Sequence, residues 1–100
     1  MSDGVTVTLE LVIKPEAADA MFAAMAAMVP DTAKRPGFRA LRTVRHKDEP
    51  NRAIIIEQWD REEDYHAYMA WRTERGDMEA GKDIILSAML NVWPTLVATA

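Results

Sequence analysis

Residues 53–59, Ala53-Ile54-Ile55-Ile56-Glu57-Gln58-Trp59, decide how this chain folds. Three β-branched apolar residues in succession read as a strand covered on both faces. In a chain of 100 residues, helices can cover one face of a sheet, but little remains for the other. A second copy of the chain is the simplest cover. Just upstream, His46 to Asn51 is polar and turn-rich, and Phe38 to Arg45 mixes Phe38, Ala40, Leu41 and Val44 with arginines. The two runs and the segment between them read as a β-hairpin.

Working outward, Val5, Val7, Leu9, Leu11 and Ile13 alternate with Thr6, Thr8 and Glu10, which predicts a strand with one buried face. Pro15 suits a first helical turn, and Ala18, Met21, Phe22, Met25, Met28 and Val29 recur at helical spacing as far as Pro30, with a further turn allowed over Asp31 to Lys34. On the other side of the hairpin, Asp60 is placed to cap a second helix, with Glu63 three residues on, and Gly76 ends it. Met78 to Leu90 reads as a third helix with Ile84, Ile85, Ala88 and Met89 on its apolar side. Trp93 to Ala98 reads as a short strand that Pro94 places at a sheet edge. The order is β-α-β-β-α-(α)-β. It predicts one α+β domain over residues 1–100, a ferredoxin-like four-stranded antiparallel sheet with helices on one face. The opposite face would meet its copy in a dimeric α+β barrel.

Composition narrows the function. Apolar residues make up 49% and charged residues 28%, which excludes intrinsic disorder. A domain this small buries only about 60–65% of its unfolded surface, so an oligomer that covers more is expected. Twelve Lys and Arg against sixteen Asp and Glu leave a net charge of −4, the wrong sign for a nucleic-acid surface. There is no cysteine, hence no disulfide, thiolate nucleophile or Cys-type metal site. The first thirteen residues have no basic residue ahead of Lys14, unlike a secretory leader, and the longest apolar run, Ala20 to Val29, is too short to span a bilayer. A cytoplasmic protein is expected, with neither membrane nor nucleic-acid partners.

No phosphate-binding glycine loop, nucleophile elbow or His-Glu-x-x-His motif occurs. What stands out is the aromatic and basic concentration from Trp59 through Tyr65, His66, Tyr68, Met69, Trp71 and Arg72 to Arg75. Tyr and Trp offer flat apolar surface with one polar tip, which suits a planar, partly oxygenated ring. The same residues would also serve as plain core, with Tyr68 and Met69 facing the sheet and Arg72 paired outside. The seven methionines fall mostly at core spacing, as flexible packing or as adaptable pocket lining. His46, at a strand end, is a candidate for proton transfer. His66 points about 100° away from its neighbour Tyr65 around the helix.

The strand Val5–Ile13 running into Lys14-Pro15-Glu16, then Pro36-Gly37-Phe38, then Ile54-Ile55-Ile56-Glu57-Gln58-Trp59, resembles the antibiotic biosynthesis monooxygenase (ABM) domain family. The run from Tyr65 to Arg72, followed by Arg75-Gly76-Asp77, resembles one subgroup of it. The resemblance implies a homodimer with a pocket between sheet and helices in each subunit. It also implies kinship with cofactor-independent oxygenases that turn polyketide anthrones into quinones with O₂. Trp59 matches the family tryptophan, Tyr65 the tyrosine on the following helix, and His46 lies near a histidine of that subgroup. Ile55 stands where the subgroup carries asparagine. The haem-degrading relatives' first-strand asparagine has no counterpart between Val5 and Ile13.

On this reading no cofactor or metal is needed, and the partners are an aromatic or quinol-like substrate and O₂. The catalytic candidates are His46, Trp59, Tyr65, His66 and Arg72, and the substrate-binding candidates are Tyr68, Met69 and Trp71. The rings would hold the substrate, Arg72 would stabilise an enolate or phenolate, and a histidine would take the proton. A non-catalytic small-molecule-binding dimer and a polyketide cyclase or isomerase remain the alternatives.

Overall fold

Val7 lies opposite Glu57 and Leu9 opposite Ile55 in the antiparallel pairing that forms the centre of the sheet. The computed structural model describes residues 3–100. Strand β1 (Val5–Ile13) leads through a 3₁₀ turn (Pro15–Ala17) into helix α1 (Ala18–Thr32). A hairpin of β2 (Phe38–Arg45) and β3 (Arg52–Trp59) follows, then helix α2 (Glu62–Glu74) and a 3₁₀ turn (Glu79–Gly81). Strand β4 (Ile85–Trp93) closes the order. The four strands lie in the order β2-β3-β1-β4, and every neighbouring pair is antiparallel. This is the expected α+β ferredoxin-like sheet with its helices on one face. No helix among the described residues is long and apolar enough to cross a membrane.

The period-two pattern of β1 and β3 does what it predicts. Val5, Val7, Leu11 and Ile13 from β1, with Ala53, Ile55, Glu57 and Trp59 from β3, are buried on the helix-bearing face. Each buried aliphatic side chain there contributes about 1.5–3 kcal/mol. These residues form two apolar clusters rather than one. Trp59, Val5 and Val7 pack with Tyr65 and Tyr68 of α2. Leu11, Ile13 and Ile55 pack with Ala18 at the start of α1. Glu57 stands on β3 between Ile55 of one cluster and Trp59 of the other.

Helix α1 is anchored at its two ends. Ala18 and Thr32 are its buried residues, whereas Met21, Phe22, Met25, Met28 and Val29 between them are only half-buried. The middle of the helix therefore bridges a hollow instead of sealing it. Pro30 sits inside α1 rather than closing it. It forgoes one intrahelical bond, and the Ala33 N–H still reaches the Val29 carbonyl at 2.9 Å.

Three expectations are corrected. The predicted helix over Met78–Leu90 is a 3₁₀ turn followed by β4, which pairs with β1 from Ile85 opposite Ile13 to Trp93 opposite Thr6. Apolar residues on both sides of β4 hid its alternation, and the open edge of β1 supplied a ladder of backbone partners that overrode local periodicity. The strand predicted over Trp93–Ala98 is absent. Only Trp93 is in a strand, and residues 94–100 have no regular structure. Asp60 does not cap α2. The cap position is Arg61, without a side-chain bond, and Asp60 instead accepts from the Arg39 guanidinium at 2.6 Å.

The second sheet face carries Ile54 and Ile56 half-buried and Val44, Met89 and Trp93 exposed, with Met89 at 58% and Trp93 at 55%. The Trp93 indole donates to Thr8 Oγ1 at 2.8 Å, which lays the ring across this face.

Candidate functional site: a cavity between the helices and the sheet

A carboxylate among apolar neighbours is the centre of the site. Strand alternation puts Glu57 on the helix-bearing face, where it is 5% exposed. Two residues on, the fully buried Trp59 donates its indole N–H to Glu57 Oε1 at 3.1 Å. Burial pushes the Glu57 carboxyl above the usual glutamate range. The Trp59 hydrogen bond and the Arg72 charge pull it back, but by less. Edge contact with Phe38 (5.5 Å between centroids) and a tilted contact with Tyr68 (5.0 Å) hold the indole in place.

Tyr65, Tyr68, Met69 and Arg72 share a face of α2 at helical spacing. Tyr65 is pushed up to about 12, first by burial and then by the nearby Glu57 charge, so it stays a neutral phenol at neutral pH. The Tyr68 hydroxyl accepts from Arg72 Nη1 at 3.3 Å and lies 3.0 Å from Thr32 Oγ1. Beyond α2, Gly76 adopts a left-handed conformation with φ 81°. Its N–H bonds to the Thr73 carbonyl, and the Asp77 N–H to that of Arg72, the hydrogen-bond pattern that folds a chain back over a helix end. That return brings Asp77 Oδ2 to 3.7 Å from Arg72 Nε and 3.5 Å from Arg75 Nε.

These groups enclose a cavity of about 100 Å³. Leu9, Leu11 and Ile55 line its sheet side, and Met21 and Met25 its α1 side. Tyr65, Tyr68 and Met69 come from α2, with Glu57, Arg72 and Asp77 as its charged groups. A smaller hollow of about 40 Å³ shares Met25, Ile55, Glu57, Tyr68 and Arg72 with it. A wider one of about 320 Å³ lies under the middle of α1, between Phe22, Val29 and Leu41, and Met25 lines this one too. The inner cavity is below the roughly 150 Å³ that takes a benzene ring, so a ring enters by displacing methionine side chains.

The structure thus brings together Tyr65, Tyr68, Met69 and Arg72, with Trp59 behind their wall. It places His46, His66 and Trp71 elsewhere. His46 is exposed at the end of β2, where its Nδ1 accepts from the backbone N–H of Asp48 (3.1 Å) and Glu49 (3.2 Å) and shapes the hairpin turn. His66 is exposed and pairs with Glu62 one turn back at 2.9 Å. Trp71 lies between the guanidinium groups of Arg35 and Arg75, each 4.4 Å from its ring centroid. Sequence reasoning passed over Glu57 as a site residue, although it is the one acidic residue in the inward phase Ala53, Ile55, Glu57, Trp59. Met21 and Met25 fall on the α1 stripe read as packing or pocket lining, whereas Thr32 and Asp77 carry no such local signal. Among the described residues no three His, Asp or Glu side chains converge to hold a metal ion.

A ferredoxin-like sheet whose helices arch over a largely apolar cavity that also holds charged groups defines a class of small α+β domains. Within that class, the sequence model for antibiotic biosynthesis monooxygenases matches residues 4–73, and the chain belongs to that family. No curated protein matches the chain. Among solved structures, it is similar to SnoaB, a cofactor-independent oxygenase from Streptomyces nogalater, with 21% identity. That alignment covers 98% of this chain and 97% of SnoaB at a TM-score of 0.76. A Shewanella oneidensis protein aligns with 17% identity over 98% of this chain and 96% of its own, at 0.83. A conserved Methanosarcina mazei protein aligns with 13% identity over 93% of each chain, at 0.82. At these identities the structural likeness concerns the fold.

Proposed function

We propose that this protein is a cytoplasmic, homodimeric monooxygenase that oxidises an aromatic, polyketide-type or quinol substrate with O₂ in the cavity between sheet and helices, using no metal or organic cofactor. The observation that carries this reading is that Glu57, Arg72, Asp77 and the tyrosines Tyr65 and Tyr68 line one hollow whose remaining walls are apolar. A ring hydroxyl placed there loses its proton, and Arg72 and Tyr68 hold the resulting oxyanion in a low-dielectric site where such contacts are strong. Ionisation matters because an electron-rich anion reduces O₂ far more readily than the neutral ring. For an anthrone, the ring CH₂ becomes C=O, with one atom of O₂ entering the product and the other leaving as water. One substrate ring would occupy the inner cavity while the others extend past Met25 beneath α1. The apolar outer face around Ile54, Ile56, Met89 and Trp93 supports the paired subunits.

The test is O₂ uptake and quinone formation by metal-stripped protein with simple anthrones and hydroquinones. Rates above buffer that fall when Arg72 is changed to Met support the reading, and rates equal to buffer overturn it. The same acid–base pair would also serve a polyketide cyclase or isomerase. Unchanged product formation without O₂ would select that reading instead. The apolar Ile55 on the cavity's sheet side favours a non-catalytic binding dimer, which would show ligand-dependent thermal stabilisation without turnover.

A further inference from the structure

Resting on the reading above, the geometry points to Glu57 as the group that takes the proton from the substrate hydroxyl, with Trp59 as its positioning residue. The Trp59 indole N–H fixes Oε1, and Oε2 takes no hydrogen bond among the described residues. The carboxylate lines both inner hollows, so an O–H entering either can reach it.

The other titratable groups facing the cavity are less suited. Tyr65 is a neutral phenol until strongly alkaline pH. The Tyr68 hydroxyl is engaged by Thr32 and Arg72. Asp77, the second carboxylate, is within ion-pair distance of both Arg72 and Arg75, so it is already engaged by two cations. Glu57 has no cationic group within ion-pair distance among the described residues, and Arg72 acts on it only at longer range. Across the sheet its register neighbours are Val7 and Leu41, and α1 contributes only methionines to the inner cavity. A carboxylate made more basic by burial is better matched to accept a proton near neutral pH.

The step is a proton transfer. The substrate O–H bond breaks, its electron pair stays on the substrate oxygen facing Arg72, and an O–H bond forms on Glu57. No proton leaves the cavity. Binding a phenol should therefore produce bound phenolate without releasing a proton to solution.

The experiment uses 4-nitrophenol, whose phenolate absorbs in the visible, at a pH below its own ionisation. A dilute indicator dye counts released protons. The wild-type protein should show the phenolate band with no released proton. Glu57→Gln, which keeps an oxygen for the Trp59 N–H, should show either the neutral-phenol band or one proton released per phenolate bound. A wild-type complex that holds neutral phenol, or that releases one proton per ligand, overturns the assignment. Protein that binds no phenol counts against both this assignment and the oxygenase reading.

A second readout is turnover against pH. Glu57→Gln should lose about 10²-fold or more at neutral pH and recover where the substrate ionises by itself. Oxidation by wild type that Glu57→Gln matches at neutral pH overturns the assignment and leaves the oxygenase standing. A phenolate band without released protons, in a protein with no O₂ uptake, does the reverse.

Discussion

Thr32 Oγ1 and the Tyr68 hydroxyl, 36 residues apart in sequence, lie 3.0 Å from each other and tie the last turn of α1 to α2 at one end of the cavity. Thr32 is fully buried, so its hydroxyl has little access to water. Tyr68→Phe should destabilise the protein by about 1–2 kcal/mol, because it leaves that hydroxyl without its partner. Thr32→Val should do likewise. The double variant should lose less than the sum of the two, since both polar groups leave together. Urea unfolding of the four proteins checks this, and strict additivity would show that the two hydroxyls do not interact.

The raised Glu57 carboxyl makes stability depend on pH with a definite sign. As pH rises past 4.5, the usual value, the unfolded chain gives up its proton while the folded protein still holds it. The contribution of Glu57 to stability is therefore full below that value. It falls as pH climbs to the folded-state ionisation, and is flat beyond. Glu57→Gln should gain stability relative to wild type over the same interval. Unfolding titrations of both proteins across the acid range test this, and a difference that stays constant or runs the other way refutes it. Tyr65 adds a similar fall between pH 10 and about 12.

The two histidines lie outside the cavity, which separates the geometric account from the expectation that one of them takes the proton. His66→Ala should change stability by less than about 0.5 kcal/mol, as is usual for an exposed helix pair. His46→Ala removes the acceptor for two backbone N–H groups in the hairpin turn and should cost about 1 kcal/mol. Both variants should keep wild-type kcat/KM with an anthrone. A fall of 100-fold in either would return the histidine to the reaction.

The outer sheet face leads to a test of assembly. Ile56 projects from the centre of this face between strands that present Arg42 and Thr8 beside it. Sedimentation equilibrium should give twice the chain mass for wild type and the single mass for Ile56→Asp. A wild-type protein that sediments as one chain contradicts the paired-sheet arrangement.

How far the sequence could be read followed from how local each signal was. Strands β1 and β3 and the hairpin between β2 and β3 were legible because alternation and turn residues act over a few positions. Strand β4 was not, because Ile84, Ile85, Ala88 and Met89 fit a helix as well as a strand, and only the open edge of β1 decides between them. At the site, the grouping of Tyr65, Tyr68, Met69 and Arg72 followed from helical spacing alone. The position of His46 and His66 relative to the cavity depends on how strand ends and helix faces are oriented in the whole fold. The hollow itself arises because α1 is held at Ala18 and Thr32 and stands off the sheet between them, which no single residue announces.

Met25 borders all three hollows, and so offers a direct test of where oxidation takes place. Metal-free wild type and Met25→Trp would be given 1,8-dihydroxyanthrone under ¹⁸O₂, with circular dichroism confirming that both are folded. The account predicts that wild type forms anthraquinone carrying one labelled oxygen, and that the filled variant falls to the rate in buffer. Unlabelled quinone, or a folded Met25→Trp that turns over like wild type, would contradict it.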